Sequence, residues 1–206
     1  MLDVPQITNM HRTVVERWHQ CEVDNPYDGF LGVACQQCGF NFRLWHEEDI
    51  ARSPDVGDQE IARVKRSIDR LNQQRNDWIE RMDDWIAAAL EQRKVRAADD
   101  ARLNTETPGS AVDRLAIMAL RIYHMEEQLS RQDVDREHIQ SVQQKLLVCR
   151  IQHADLSQSL SQLLDDLAAG RKRHRTYHQF KMYNDPTLNP YLYKSGDVQG
   201  PLRKAA

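Results

Sequence analysis

The chain is short of the features that would fix a function at a glance. In 206 residues it has 4 cysteines, 8 glycines and 7 prolines, and only 7% of it is aromatic. The cysteines, Cys21, Cys35, Cys38 and Cys149, do not form a disulfide framework. Cys35 and Cys38 make a C-x-x-C pair, but a structural zinc site would want two more ligands at short, regular spacing. Reduced core thiols, with no metal, are the expectation. No apolar run reaches the ~18 residues of a membrane-spanning helix. The N-terminus opens on an acid and lacks the basic and apolar regions of a secretory signal, which makes a cytoplasmic location the expectation. Neither sign of charge dominates: 28 Lys and Arg against 31 Asp and Glu leave a net charge of −3, which argues against a nucleic-acid partner. No repeat of solenoid period is visible, and no stretch reads as a strand.

What is present is helical periodicity. A first helix is expected over about 7–22, closed by the turn residues Asn25-Pro26-Tyr27-Asp28-Gly29. A second, over about 30–52, carries Phe30, Ala34, Cys38, Phe42 and Trp45 on one face and stops at Ser53-Pro54. Asp58 is expected to cap a third, whose seam runs Ile61, Val64, Ile68, Leu71, Arg75, Trp78, Met82, Trp85 and Ala89. A fourth is expected over about 108–131. The fifth, over about 135–169, repeats Ile139, Val142, Leu146, Cys149, His153, Leu156, Leu160, Leu163 and Leu167, with Gly170 as its terminator. The fold expected is all-α: a single-domain antiparallel helical bundle of about five helices over 5–170. A basic and aromatic C-terminal arm (171–193), packed by Tyr and Phe, and a disordered tail (194–206) follow it. The length of the fifth helix's seam leaves room for a homo-oligomer.

The polar residues concentrate in three places. Thr107-Pro108-Gly109-Ser110 is a helix entry, with Thr107 able to cap, Pro108 suited to the first turn, and Gly109 allowing close approach. Free N–H groups there make it a candidate anion site, with Glu106 beside it. Further along, Asp113 and His124 lie on a mostly apolar line, so both are expected to be withdrawn from water. A buried carboxylate needs a partner, for which Arg75, Arg114 and Arg121 are available. The third helix has Arg75 inside its apolar seam, flanked by Asn72, Asn76, Asp77 and Glu80; an arginine there is costly unless carboxylates meet it. The second helix ends in Trp45-His46-Glu47-Glu48-Asp49, from which Glu48 or Asp49 is expected to turn toward the third.

Those segments, together with Asn72-Gln73-Gln74-Arg75-Asn76-Asp77, Asn104-Thr105-Glu106-Thr107-Pro108-Gly109-Ser110 and Lys181-Met182-Tyr183-Asn184-Asp185-Pro186, resemble the bacterial domain of unknown function 4254 family over about 7–193. The resemblance implies an all-helical protein found among the glycosyltransferases of bacterial surface polysaccharides. The resulting expectation is an accessory or ligand-binding protein of cell-envelope glycan assembly, with glycan-assembly enzymes or a phosphate-bearing or sugar ligand as partner and no cofactor. The alternative is a Mg2+-dependent hydrolase of nucleotides or sugar nucleotides. Its cation would lie between Glu47, Glu48, Glu80 and Asp83, which are similar in kind to the carboxylates of MazG-like pyrophosphohydrolases, although Ala51 stands where a third glutamate is needed. No nucleophile stands in a recognisable setting.

Overall fold

A computed structural model describes residues 2–180, 182 and 185–194. Among them are six helices: α1 (Val4–Trp18), α2 (Gly29–Arg52), α3 (Asp58–Gln92), α4 (Pro108–Leu129), α5 (Arg136–Ala168) and the single turn α6 (Pro190–Tyr193). Two short strands, β1 (Arg102–Leu103) and β2 (Lys172–Arg173), pair in parallel and join the chain leaving α3 to the chain leaving α5. The protein is all-α, as its periodicity predicts. The two-residue ladder carries no periodic signal that could have announced it.

α4 packs against each of the other four long helices, and α2 packs against α1, α3 and α4. Over its first two-thirds α2 has buried residues around most of its circumference, through Phe30, Ala34, Cys35, Gln37, Cys38, Phe40, Asn41, Phe42 and Leu44, because its apolar residues surround the helix instead of striping it. α3 runs back along α2: Phe30 meets Trp85, Phe40 meets Trp78 and Glu47 meets Ser67, so residue numbers climb on one helix as they fall on the other. α4 crosses α3 in the same opposed sense, with Arg75 against Asp113 and Asp83 against Gly109. The main core joins α1, α2, α4, the last third of α3 and the end of α5. A smaller cluster of Phe40, Leu44, Val64, Ile68 and Leu71 belongs to α2 and α3 alone.

Several boundaries differ from expectation for identifiable reasons. α1 ends at Trp18, four residues early, because Trp18 Nε1 and Arg17 both turn to Asp24 in the following loop. Gly57, not Asp58, is the N-cap of α3. The buried face of α3 leaves the expected seam after Met82 and continues through Asp83 and Ile86, leaving Trp85 exposed. A strict 3.5-residue seam drifts around a straight helix of 3.6 residues per turn. Gly170 does close α5: at φ +69° it lets Arg171 N–H reach Asp166 O (2.8 Å) and its own N–H reach Leu167 O (3.1 Å). The cysteines are free, and Cys35, Cys38 and Cys149 are buried.

The chain divides into two compact units, Met1–Thr176 and Tyr177–Ala206. In the second, Tyr177, Phe180, Tyr191 and Tyr193 are exposed. Of the tail expected to be disordered, 195–206 lies outside the described residues, as do 181, 183 and 184 of the Lys181–Pro186 motif.

Candidate functional site

Asp113 on α4 is 4% exposed and accepts four hydrogen bonds. Gln37 Nε2 (2.5 Å) and Asn41 Nδ2 (2.9 Å), one turn apart on α2, donate to Oδ1. Arg75 on α3 donates through Nε to Oδ1 (2.7 Å) and through Nη2 to Oδ2, a two-point clamp. That hydrogen bonding outweighs burial and raises the Arg75 pKa. The seam arginine is thus met by a carboxylate, and three helices are keyed to one another at this point. Arg114, expected to join the pair, is exposed. Adjacent helical residues point about 100° apart, so Asp113 and Arg114 cannot both face α3.

The solvent side of this pair opens into a groove of about 490 Å³ between α2, α3 and α4, lined among others by Asn41, Trp45, Glu48, Asp49, Arg52 and Asn72. Arg75 lies at its floor, with Leu44, Ile117 and Leu120 as apolar wall. Glu48, Asp49, Asn72 and Arg75 were marked by sequence, and the structure places them around one space. Arg52 is held by Glu48, through the carboxylate at 2.8 Å and the backbone carbonyl at 2.7 Å. Two arginines and two carboxylates therefore line the groove, and each arginine is already paired with a carboxylate.

The start of α4 is built as expected and used differently. Thr107 caps it, accepting from Ser110 N–H (3.2 Å), and Pro108 follows. The anion at this terminus is the protein's own: the carboxylate of Asp83, 3% exposed, accepts from Gly109 N–H at 2.8 Å. Burial raises the Asp83 pKa, opposed by its hydrogen bonds from Thr107 and Gly109. Gly109 is needed for contact with α3: a Cβ there would lie 2.7 Å from the Ile79 carbonyl oxygen and 2.9 Å from Asp83. Glu106 is exposed.

Asn76, Asp77 and Glu80 are half-buried on α3 and do not line the groove; Gln73 Nε2 reaches Asp77 at 3.4 Å. The carboxylates proposed for Mg2+ have other engagements: Glu47 accepts from Ser67 Oγ (2.7 Å), Glu48 holds Arg52, and Asp83 caps α4. They form no group of three converging ligands among the described residues. His46 and His124 come together, with His19, outside the groove and behind Trp45, which stacks on His124 at 4.8 Å between centroids.

Sequence reading did not single out Gln37 and Asn41 as site residues. Their signal was available: two carboxamides four apart in a largely apolar helix need a buried polar partner. His11 was missed as well. It is fully buried on α1 with neither ring nitrogen meeting a protein hydrogen-bond partner, and burial, with His153 nearby, lowers its pKa to about 3.

Fold and site define an all-helical bundle with a polar groove lined by Arg75, the partner of the buried Asp113. The family model described as "Protein of unknown function (DUF4254)" matches residues 32–176, and the chain belongs to that family. The match is narrower than the 7–193 suggested by the motifs, and it ends where the first unit ends. No curated protein and no solved structure matches the chain.

Proposed function

We propose that the protein is an accessory, ligand-binding protein of bacterial cell-envelope glycan assembly, working in the cytoplasm, and that the α2–α3–α4 groove receives a sugar. The observation that carries this reading is the composition of the groove. An indole (Trp45) stands beside two carboxylates, two carboxamides and two arginines that are each already paired with a carboxylate. An apolar face with hydrogen-bonding groups of both kinds suits a neutral polyhydroxylated ring, which has C–H faces and O–H edges. A phosphate is served less well. The arginines of the groove are held by Glu48 and Asp113, and the helix terminus that would favour an anion holds Asp83. The Mg2+-dependent hydrolase has no comparable support, since Glu47, Glu48 and Asp83 each have another hydrogen-bonded or charged partner.

Calorimetry of the full chain against neutral monosaccharides, sugar phosphates and nucleotide sugars tests the reading. Saturable heat is expected with at least one neutral sugar or its nucleotide conjugate, and Trp45→Ala or Asn72→Ala is expected to remove it. Heat with none of them, or binding indifferent to Trp45, would refute the sugar reading.

A further inference from the structure

Three histidines distant in sequence meet where α1 ends. His19 follows α1, His46 is on α2 and His124 is on α4. One ring nitrogen of each lies within 4.8 Å of one from both others, and no other trio of His, Cys, Asp or Glu among the described residues is gathered in this way. Each Nδ1 has an oxygen partner: His19 with Val15 O (2.7 Å), His46 with Phe42 O (2.8 Å) and His124 with Glu127 Oε2 (2.7 Å). A carbonyl or carboxylate oxygen can only accept, so each Nδ1 carries a hydrogen, which in a neutral ring leaves the lone pair on Nε2. His19 Nε2 and His124 Nε2 are buried and meet no hydrogen-bond partner in the protein.

The rings are held from outside. Tyr123 stacks on His19 (3.9 Å between centroids), Trp45 on His124 and Phe42 against His46 (4.4 Å). Simple aromatic packing accounts for those contacts. It does not account for three imidazoles clustered with their Nδ1 atoms all turned to oxygen and two of their Nε2 atoms buried without a partner, an arrangement that is unfavourable until a cation occupies it. Oriented Nδ1–H donors, one of them to a carboxylate, are what metal-binding histidines have behind them.

We propose that His19, His46 and His124 bind one divalent transition-metal ion of the zinc class through their Nε2 atoms. Glu127 orients His124, and a fourth position is left for water or a ligand oxygen. Zinc–nitrogen bonds of about 2.0–2.1 Å put tetrahedral ligands about 3.3 Å apart, so the rings draw together by about 1.5 Å at most, within reach of side-chain rotation. Imidazole suits Zn2+, Cu2+ and Ni2+; Mg2+ and Ca2+ take oxygen ligands and are excluded. Trp45 touches His124 and lines the groove, which places the ion one side chain from the sugar site. The proposal does not depend on the sugar reading.

The test uses the full chain without a purification tag, stripped by chelator and titrated with Co2+. One Co2+ per chain is expected, with the visible absorption of a four-coordinate ion, displaced by Zn2+ and untouched by Mg2+. His46→Ala and His124→Ala should each abolish the absorption. Glu127→Gln, which keeps all three ligands and changes only an exposed side chain, should weaken affinity about tenfold with helix content unchanged by circular dichroism. Absence of saturable Co2+ binding by the wild-type chain overturns the proposal. So does binding that persists in both histidine variants.

Discussion

In the core, Gln37, Asn41 and Arg75 replace the water that the Asp113 carboxylate gives up. Removing the guanidinium leaves a buried carboxylate short of its counter-charge. Arg75→Met is therefore expected to cost about 3 kcal/mol in urea unfolding. The double variant Arg75→Met/Asp113→Leu should lose less than the sum of the single changes, because the uncompensated charge goes with it. His11 makes a different demand, since it must remain neutral. Its folded pKa of about 3 lies below the ordinary 6.5, so between those values the unfolded chain binds more protons than the folded one. Stability from this residue is complete above about pH 6.5 and lost as pH falls toward 3, and burial of His19 and His153 lowers their pKa in the same direction. His11→Leu should flatten the fall in urea midpoint between pH 7 and pH 4; an unchanged slope would place the acid sensitivity elsewhere. At this scale Arg75 was legible, because an arginine inside an apolar seam contradicts its surroundings. His11 was not, because one histidine among Met10, Val14 and Val15 reads as an ordinary member of an amphipathic face.

The helices themselves were legible wherever periodicity was strong and turn residues bounded it. The second, third, fourth and fifth begin within a residue or so of expectation. What the pattern could not supply was the pairing of their ends. The start of α4 reads as an anion site from its own residues, and its anion is 26 positions away on α3. That junction gives a prediction for the elements. Gly109→Ala would push a methyl group into the Ile79 carbonyl and the Asp83 carboxylate, and should cost about 1–3 kcal/mol by thermal or urea melts. A neutral result would mean that α3 and α4 are not packed as closely as Gly109 permits. The drift of the α3 seam at Trp85 has the same lesson: identical spacing continues in the sequence while the neighbour facing it changes.

For the molecule as a whole, the core is in two parts of unequal support. The cluster of Phe40, Leu44, Val64, Ile68 and Leu71 draws on α2 and α3 only, while the larger one is shared by five helices. Amide exchange should accordingly be faster around 61–71 than around 111–120, and equal protection would count against that division. No helix among the described residues is long and apolar enough to cross a membrane. The groove lies between α2, α3 and α4, beside the Asp113 ion pair, where a shift of any of the three helices changes its walls. Amide and side-chain NMR of the full chain, titrated with the same neutral sugars and nucleotide sugars, tests the sugar-binding groove most directly. The Trp45 indole and Asn72 carboxamide signals should move and saturate together with one of them. Signals that stay fixed with every sugar, or that move only far from the groove, would contradict it.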